Sequence, residues 1–220
     1  MKLKNVLYLI FLLVPAIFAW IMASNTFPYL GFDLRHGFLG TKTIKTAETP
    51  LFQFSFYLHI ISSLFVWVLG FLILLPIFFR KLNFHRLLGK LYVLLLVFIA
   101  APSGMGLSFF ANGGLSAKIA FLLQSAIWAF FTLKAWFFIR KNEINLHLRW
   151  MIRSLAVTWA AFSLRGESFL MIKYLGTAPI ETYLSVVWLS WVGNILIVEI
   201  LLMLGIDKFF LNFLKISKRK

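Results

Sequence analysis

Six long apolar segments follow one another along the chain, and each is bounded by polar or charged residues. About 20 consecutive apolar residues are what an α-helix needs to cross the hydrocarbon core of a bilayer. The segments lie near 5–23, 51–79, 87–110, 117–139, 150–172 and 185–206. The pattern predicts an all-α fold: a polytopic membrane helical bundle of six transmembrane helices in a single integral-membrane domain over residues 1–220.

The amino-acid composition strengthens this prediction. Hydrophobic residues make up 61% of the chain and the mean hydropathy is +0.91, whereas soluble domains average roughly 45–50% apolar residues. The first segment has an apolar core of about nineteen residues, longer than that of a signal peptide, and is interpreted as a retained helix. The absence of cysteine excludes disulfides, thiolate metal sites, covalently attached haem and a cysteine nucleophile.

Positive charges alternate between the two ends of the predicted helices, and the formal net charge is +15. One side collects fifteen basic residues: Lys2, Lys4, Arg80, Lys81, Arg86, Lys90, Arg140, Lys141, Arg149, Arg153, Lys208, Lys215, Lys218, Arg219 and Lys220. The other side has five: Arg35, Lys42, Lys45, Lys118 and Lys173. The positive-inside rule places the first side and both termini in the cytoplasm. Anionic lipids are the expected partners there, and no nucleic-acid partner is expected.

The connections and breaks in the pattern refine the predicted bundle. Residues 24–50 form the longest connection, an outer loop with a short surface-lying piece. Pro76 is expected to tilt or kink helix two. Pro102, Gly104 and Gly106 are expected to permit a kink and close helix packing in helix three. The C-terminal tail, in which phenylalanines stand beside lysines, is expected to lie on the inner membrane surface.

Five helices each place a polar residue roughly 11 Å below the outer surface, at a rise of 1.5 Å per residue. The predicted outer ligand-binding cluster is His59, Ser103, Gln124, Arg165 and Asn194, with Glu167 as a counter-charge. A charged residue inside a span usually faces a partner in the protein interior. The alternative is that Arg165 extends to the outer headgroups while the others make ordinary interhelical hydrogen bonds.

Helical phase predicts a second cluster at the inner end of the bundle. His85 and Ser103 are eighteen residues apart, as are His147 and Arg165. Eighteen residues are five whole turns, so each pair shares a helix face. If those faces meet, the two histidines approach each other at the cytoplasmic end.

Two histidines on different helices of a bundle can hold haem b, one imidazole on each face of the iron. His85 and His147 are therefore the candidate haem-iron ligands, and Gly89 would leave room for the ring. The candidate partners for the haem propionates are Arg86, Arg149 and Arg153. The alternative is that both histidines are interfacial residues that cap helices, with the arginines in the cytoplasmic positive belt.

Lys134 on helix four and Glu199 on helix six lie at similar depth in the inner half of the bundle. The simplest interpretation is a buried ion pair that holds the two helices together. The functional alternative is a protonatable relay.

Several motifs carry a resemblance to known families. "FYLHIISS", "HRLLGKLYV", "APSGMGLSFFANGG", "HLRWMIRSLAVTWAAFSLR" and the tryptophan of "AIWAFF" are similar to those of a bacterial family of multispanning proteins of unknown function (DUF2306), over roughly residues 52–200. This resemblance implies a bacterial inner-membrane protein with a shared polar apparatus, and it names no reaction. A weaker similarity is to diheme cytochrome b reductases, whose histidines pair between alternate helices. Helix four has no histidine, which leaves His59 without an evident partner for a second haem.

The leading hypothesis is a membrane redox protein that binds haem b at the inner cluster and a quinone, or another electron carrier, at the outer cluster. One alternative is a transporter, or a binder of a lipid or small anion, that uses Arg165 and His59. Another is a structural subunit packed against partner membrane proteins.

Overall fold

The computed structural model describes residues 3–75 and 82–213, which are mostly helical and contain no strand. The long connection between the first two helices carries three short helical turns, at Phe27–Gly31, Leu39–Thr41 and Ile44–Ala47. Helix α1 covers Leu3–Thr26, α2 covers Pro50–Leu74, α4 covers Gly114–Arg140, α6 covers Pro179–Met203 and α7 covers Ile206–Phe213. Helix α3 runs through Leu82–Leu95, a π turn at Leu96–Ala100 and Ala101–Ser108. Helix α5 runs through Ile144–Thr158, Ala160–Leu170 and a π turn at Met171–Leu175.

The prediction of an all-α membrane protein is confirmed. Within the described part of the chain, four helices are long and apolar enough to cross a membrane: Pro50–Leu74, Asn83–Ser108, Gly114–Arg140 and Pro179–Met203. The predicted segments near 5–23 and 150–172 are also helical, in α1 and α5. Their crossing of the membrane, and the side on which the termini lie, stay predictions.

Three helix ends differ from the prediction at the inner side. Helix α3 begins at Leu82 and α5 at Ile144, so both candidate haem-ligating histidines lie within helices. Helix α2 ends at Leu74, and Leu75 is extended, as expected for the residue before a proline. The predicted continuation over 76–79, the kink at Pro76 and the basic residues Arg80 and Lys81 lie outside the described residues, as do Lys2 and the tail from residue 214.

Helices α2 to α5 surround one apolar core. Its buried residues are Val66 and Ile73 of α2; Leu88, Tyr92, Leu96, Ala100 and Ala101 of α3; Trp128 and Ala135 of α4; and Met151 and Val157 of α5. Helix α6 packs on α4 and α5, and α1 packs on α2. The Phe18 ring of α1 also contacts Trp159 and Phe162 of α5. The core therefore lies where α2 to α5 meet.

The π turn in α3 has a local cause in Pro102. Proline has no N–H, and its ring crowds the carbonyl four residues earlier, here that of Phe98. In the wider turn, the N–H of Ala101 donates to the carbonyl of Leu96, five residues back. Wider turns of this kind are frequent at functional sites. The carbonyl of Ala100 accepts side-chain hydrogen bonds, one of them from the Ser103 hydroxyl at 3.0 Å, whose shorter bond goes to the carbonyl of Ile99 at 2.7 Å.

The outer connection folds onto the bundle. Leu39, Phe52 and Phe56 form a small buried cluster between this connection and α2. The hydroxyl of Tyr29 accepts a hydrogen bond from the backbone N–H of Phe38 at 2.9 Å. The connection is thus a packed cap over the outer end of α2.

Lys42 ties this cap to the turn between α3 and α4. Its Nζ donates to the carbonyl of Phe110 and to Oδ1 of Asn112, both at 2.6 Å. Burial, with the positive charge of Lys118 nearby, lowers the pKa of Lys42 to about 8. The half-buried ammonium therefore loses its proton more readily than an exposed lysine does.

Candidate functional site

The structure places His85 and His147 near each other at the inner end of α3 and α5. The two side chains are close enough to interact electrostatically. The imidazole of His147 bonds through Nδ1 to the carbonyl of Ala135 in α4 at 2.9 Å. The imidazole of His85 lies against the carbonyl of Ile73 in α2. Each histidine is therefore oriented by the backbone of the preceding helix.

This arrangement fits a bound haem in two respects. Histidines that bind metals almost always donate their other ring N–H to a carbonyl or carboxylate, and a bond from Nδ1 of His147 leaves Nε2 available. A Cβ at Gly89 would meet no heavy atom within 4 Å, so space is open one turn above His85. Leu88 and Met151 are each only 9% exposed and belong to the core. A ring at the histidine pair could therefore not lie between these two residues.

The arginines of α5 have partners inside the protein. Nε of Arg153 donates to Oε1 of Glu199 at 2.5 Å and Nη2 donates to Oε2 at 2.8 Å. Nη1 of Arg149 donates to Oδ2 of Asp207 in α7 at 3.1 Å. These bonds compete with the predicted contacts to propionates or headgroups. Arg86 is exposed and, among the residues described, forms no ion pair.

The predicted ion pair between Lys134 and Glu199 is wrong, because Arg153 occupies both oxygens of that carboxylate. The ammonium of Lys134 instead lies over the rings of Phe130, at 5.6 Å, and Trp150, at 6.0 Å. The guanidinium fork of arginine matches a carboxylate with two parallel bonds, which a lysine cannot do. The rotation of α4 and α5 relative to α6 decides that Arg153, and not Lys134, reaches the Glu199 carboxylate.

A buried hydroxyl network lies two turns above the histidine pair, and sequence reasoning missed it. The hydroxyl of Tyr92 bonds to Ser154 Oγ at 3.0 Å and to Thr158 Oγ1 at 3.2 Å. Thr132 Oγ1 bonds to Ser154 Oγ at 2.7 Å, and Trp128 Nε1 donates to Thr158 Oγ1 at 2.9 Å. All five side chains are buried. The network joins α3, α4 and α5 through neutral groups.

One signal in the sequence pointed to this network. Tyr92 follows His85 by seven residues, and Ser154 follows His147 by seven. Single hydroxyl residues are common in membrane helices, however, so this spacing gains meaning only when the two helices are known to be neighbours.

The structure places His59 against α3 in the outer half of the bundle. Its Nδ1–H donates to the carbonyl of Ala100 at 3.0 Å. A Cβ at Gly104 would lie 2.9 Å from Cε1 of His59 and 2.7 Å from Oγ of Ser125. The predicted close packing at Gly104 is confirmed, and it brings α2, α3 and α4 together around this histidine.

The remaining residues of the predicted outer cluster have other neighbours. Asn194 accepts from Ser163 at 2.9 Å and donates to the carbonyl of Ala156 at 3.1 Å, so it joins α6 to α5. Nη1 of exposed Arg165 donates to the carbonyl of Ala161 in its own helix at 2.6 Å.

Two further members have buried oxygens without a partner among the described residues: Gln124 Oε1 and Glu167 Oε2. Arg165 and Glu167 form no ion pair in the described part of the chain. Of the outer cluster, His59 and Ser103 share a hydrogen-bond acceptor, the carbonyl of Ala100.

Comparison with known proteins identifies one family. The family model described as "Predicted membrane protein (DUF2306)" matches residues 56–202. No curated protein and no solved structure matches the chain. The family match supports the resemblance to the multispanning proteins of unknown function. It gives no support to the similarity with diheme cytochrome b reductases.

Proposed function

The chain belongs to the DUF2306 family of predicted membrane proteins, and on that premise we propose that it is an electron carrier that binds haem b between His85 and His147. The observation that carries the proposal is the convergence of two imidazoles from alternate helices. The His147 imidazole is oriented by the Ala135 carbonyl of the intervening helix α4, and the His85 imidazole lies against the Ile73 carbonyl of α2.

Haem b, when bound, supplies one-electron chemistry at its iron. The residues of the chain hold and orient it: the two histidines are the proposed axial ligands, and open space at Gly89 gives room beside them. Arg86 is the arginine best placed to meet a propionate, because Arg149 and Arg153 already bond to carboxylates. A quinone headgroup is the proposed outer partner, with His59 as its contact.

The proposed topology has six membrane crossings, with both termini in the cytoplasm of a bacterium and the chain in the inner membrane. Its support is the distribution of lysine and arginine among the helix ends. In this orientation the histidine pair lies near the cytoplasmic surface, where anionic lipids surround the basic belt. Electrons would then enter or leave the haem from the cytoplasmic side.

An absorption spectrum of the protein purified from haem-replete cells tests this function. We expect a Soret band and a reduced-minus-oxidised spectrum of haem b, both lost in His85→Ala and in His147→Ala. His36→Ala is the matched control, because His36 is exposed in the outer cap, and it should keep the spectrum. Gly89→Leu should fold normally and lose haem, since its side chain would fill the open space. Colourless wild-type protein would refute the proposal.

A further inference from the structure

We propose that Tyr92 and Ser154 are positioning residues, whose hydrogen bond sets the separation and angle at which His85 and His147 face each other. The inference deepens the proposed haem function and rests on it, since it concerns the same pair of histidines. Neither residue touches the haem in this proposal. Both act through the helices that carry the ligands.

The register of the two helices connects the hydrogen bond to the histidines. Seven residues separate His85 from Tyr92 in α3, and seven separate His147 from Ser154 in α5. Seven residues rise about 10.5 Å and turn about 20° short of two full turns. The hydrogen bond and the histidine pair therefore lie on the same two facing strips of α3 and α5.

Helix α4 fixes α5 independently of α3. Three residues of α4 bond to three residues of α5 in antiparallel order: Trp128 to Thr158, Thr132 to Ser154, and the carbonyl of Ala135 to His147. The last of these bonds orients His147 itself. Tyr92 connects α3 to these bonds between α4 and α5. It therefore sets the position of His85 relative to His147, which α4 already holds in place.

The Tyr92 ring is held in place by close packing. Tyr92 is 0% exposed. A Cβ at Gly70 of α2 would lie 3.3 Å from Cε2 of the Tyr92 ring and 3.2 Å from Leu155 of α5. Glycine at this position therefore lets the ring fit between α2 and α5. A ring that cannot move transmits the position of its hydroxyl to the backbone of α3.

Tyr92→Phe isolates this function. The variant loses the hydroxyl only, and Ser154 and Thr158 keep their bonds to Thr132 and Trp128. No buried hydroxyl is left without a partner, so the protein should fold. Tyr57→Phe is the matched control, because the buried Tyr57 hydroxyl has no hydrogen-bond partner among the described residues.

The first experiment compares the haem in the two variants. We expect Tyr92→Phe to bind haem and to release it to apomyoglobin at least about two to ten times faster. That is the range for the loss of one neutral hydrogen bond, and the variant loses the bonds to both Ser154 and Thr158. We also expect a changed midpoint potential and a low-spin ferric signal at shifted g-values. Tyr57→Phe should match the wild type in all three. A Tyr92→Phe protein that also matches the wild type in all three would overturn the inference.

The second experiment needs no haem. The chain has no cysteine, so His85→Cys together with His147→Cys introduces the only two thiols. We expect copper-phenanthroline to join them in a disulfide, about two to ten times more slowly when Tyr92→Phe is added and at an unchanged rate when Tyr57→Phe is added. Equal rates in all three proteins, or no disulfide in any of them, would overturn the inference.

The two experiments separate the two proposals. Wild-type protein without haem would refute the electron-carrier function, and the disulfide rates would still decide the role of Tyr92. Haem in the wild type, with Tyr92→Phe unchanged in potential and disulfide rate, would refute only the positioning role.

Discussion

Gly104 lies where α3 passes closest to His59, and Gly104→Ala is expected to destabilise the bundle. A Cβ at this position would lie 2.7 Å from Oγ of Ser125, 2.9 Å from Cε1 of His59 and 3.1 Å from Nδ1 of His59. The serine hydroxyl can rotate away. The imidazole cannot do so freely, because its Nδ1 bonds to the carbonyl of Ala100 at 3.0 Å. The substitution must therefore displace the ring and weaken that bond.

The magnitude follows from two opposing terms. Inserting a methyl group into a packed core costs about 1–3 kcal/mol. Replacing glycine by alanine within a helix stabilises it by about 0.5–1 kcal/mol. We expect a net loss of about 1–2 kcal/mol in the free energy of unfolding of Gly104→Ala. Gly166→Ala in α5 is the matched control, because its Cβ would meet no heavy atom within 4 Å, and only the stabilising term applies.

Equilibrium unfolding in mixed detergent micelles measures both variants. Adding Ser125→Ala to Gly104→Ala removes the shortest contact and should recover part of the loss, while the contact with His59 remains. If Gly104→Ala proves as stable as Gly166→Ala, the packing argument at His59 is refuted.

Two further predictions concern charged groups. Arg153→Ala leaves the Glu199 carboxylate without its two-bond partner and should lower the free energy of unfolding by about 1–3 kcal/mol, between the values for exposed and buried pairs. Arg153→Lys should recover only part of this loss in the same unfolding assay. An Arg153→Ala protein as stable as the wild type would contradict this prediction. The pKa of Lys42 is about 8 in the folded protein against 10.5 for an ordinary lysine, so the unfolded chain binds more protons between these values and stability should rise with pH across that window. Lys42→Arg stays charged and should abolish the rise in thermal unfolding temperature, whereas an equal rise in Lys42→Arg would show that other groups titrate.

The helices could be predicted from the sequence because their cause is local. The apolar run at residues 117–139 predicts α4, which in the structure covers Gly114–Arg140. Proline also acts locally: Pro102 explains the π turn in α3 and Pro76 explains the extended Leu75. The eighteen-residue spacing that places His85 and Ser103 on one face of α3 acts locally as well, since it is a property of a single helix. The approach of His85 to His147 was predicted only on the condition that the faces of α3 and α5 meet.

The partners of polar side chains could not be predicted in the same way. Lys134 and Arg153 both lie in the inner half of the bundle, and depth alone made Lys134 a reasonable partner for Glu199. Arg165 and His59 lie at similar depth on α5 and α2, yet the guanidinium bonds to its own helix and the imidazole bonds to α3. Depth along a helix is encoded locally, whereas the direction in which a side chain points depends on how the neighbouring helices are rotated.

The sequence by itself therefore determined the class of this protein, its helices and the face of its own helix on which each inner histidine lies, because hydropathy, proline and helical period act within one segment. The tertiary structure alone decided that Tyr92 meets Ser154, that Arg149 and Arg153 bond to carboxylates, and that glycines bring His59 and Tyr92 against neighbouring helices. Each of these contacts joins residues of different helices, and it exists only once packing has fixed their separation and rotation.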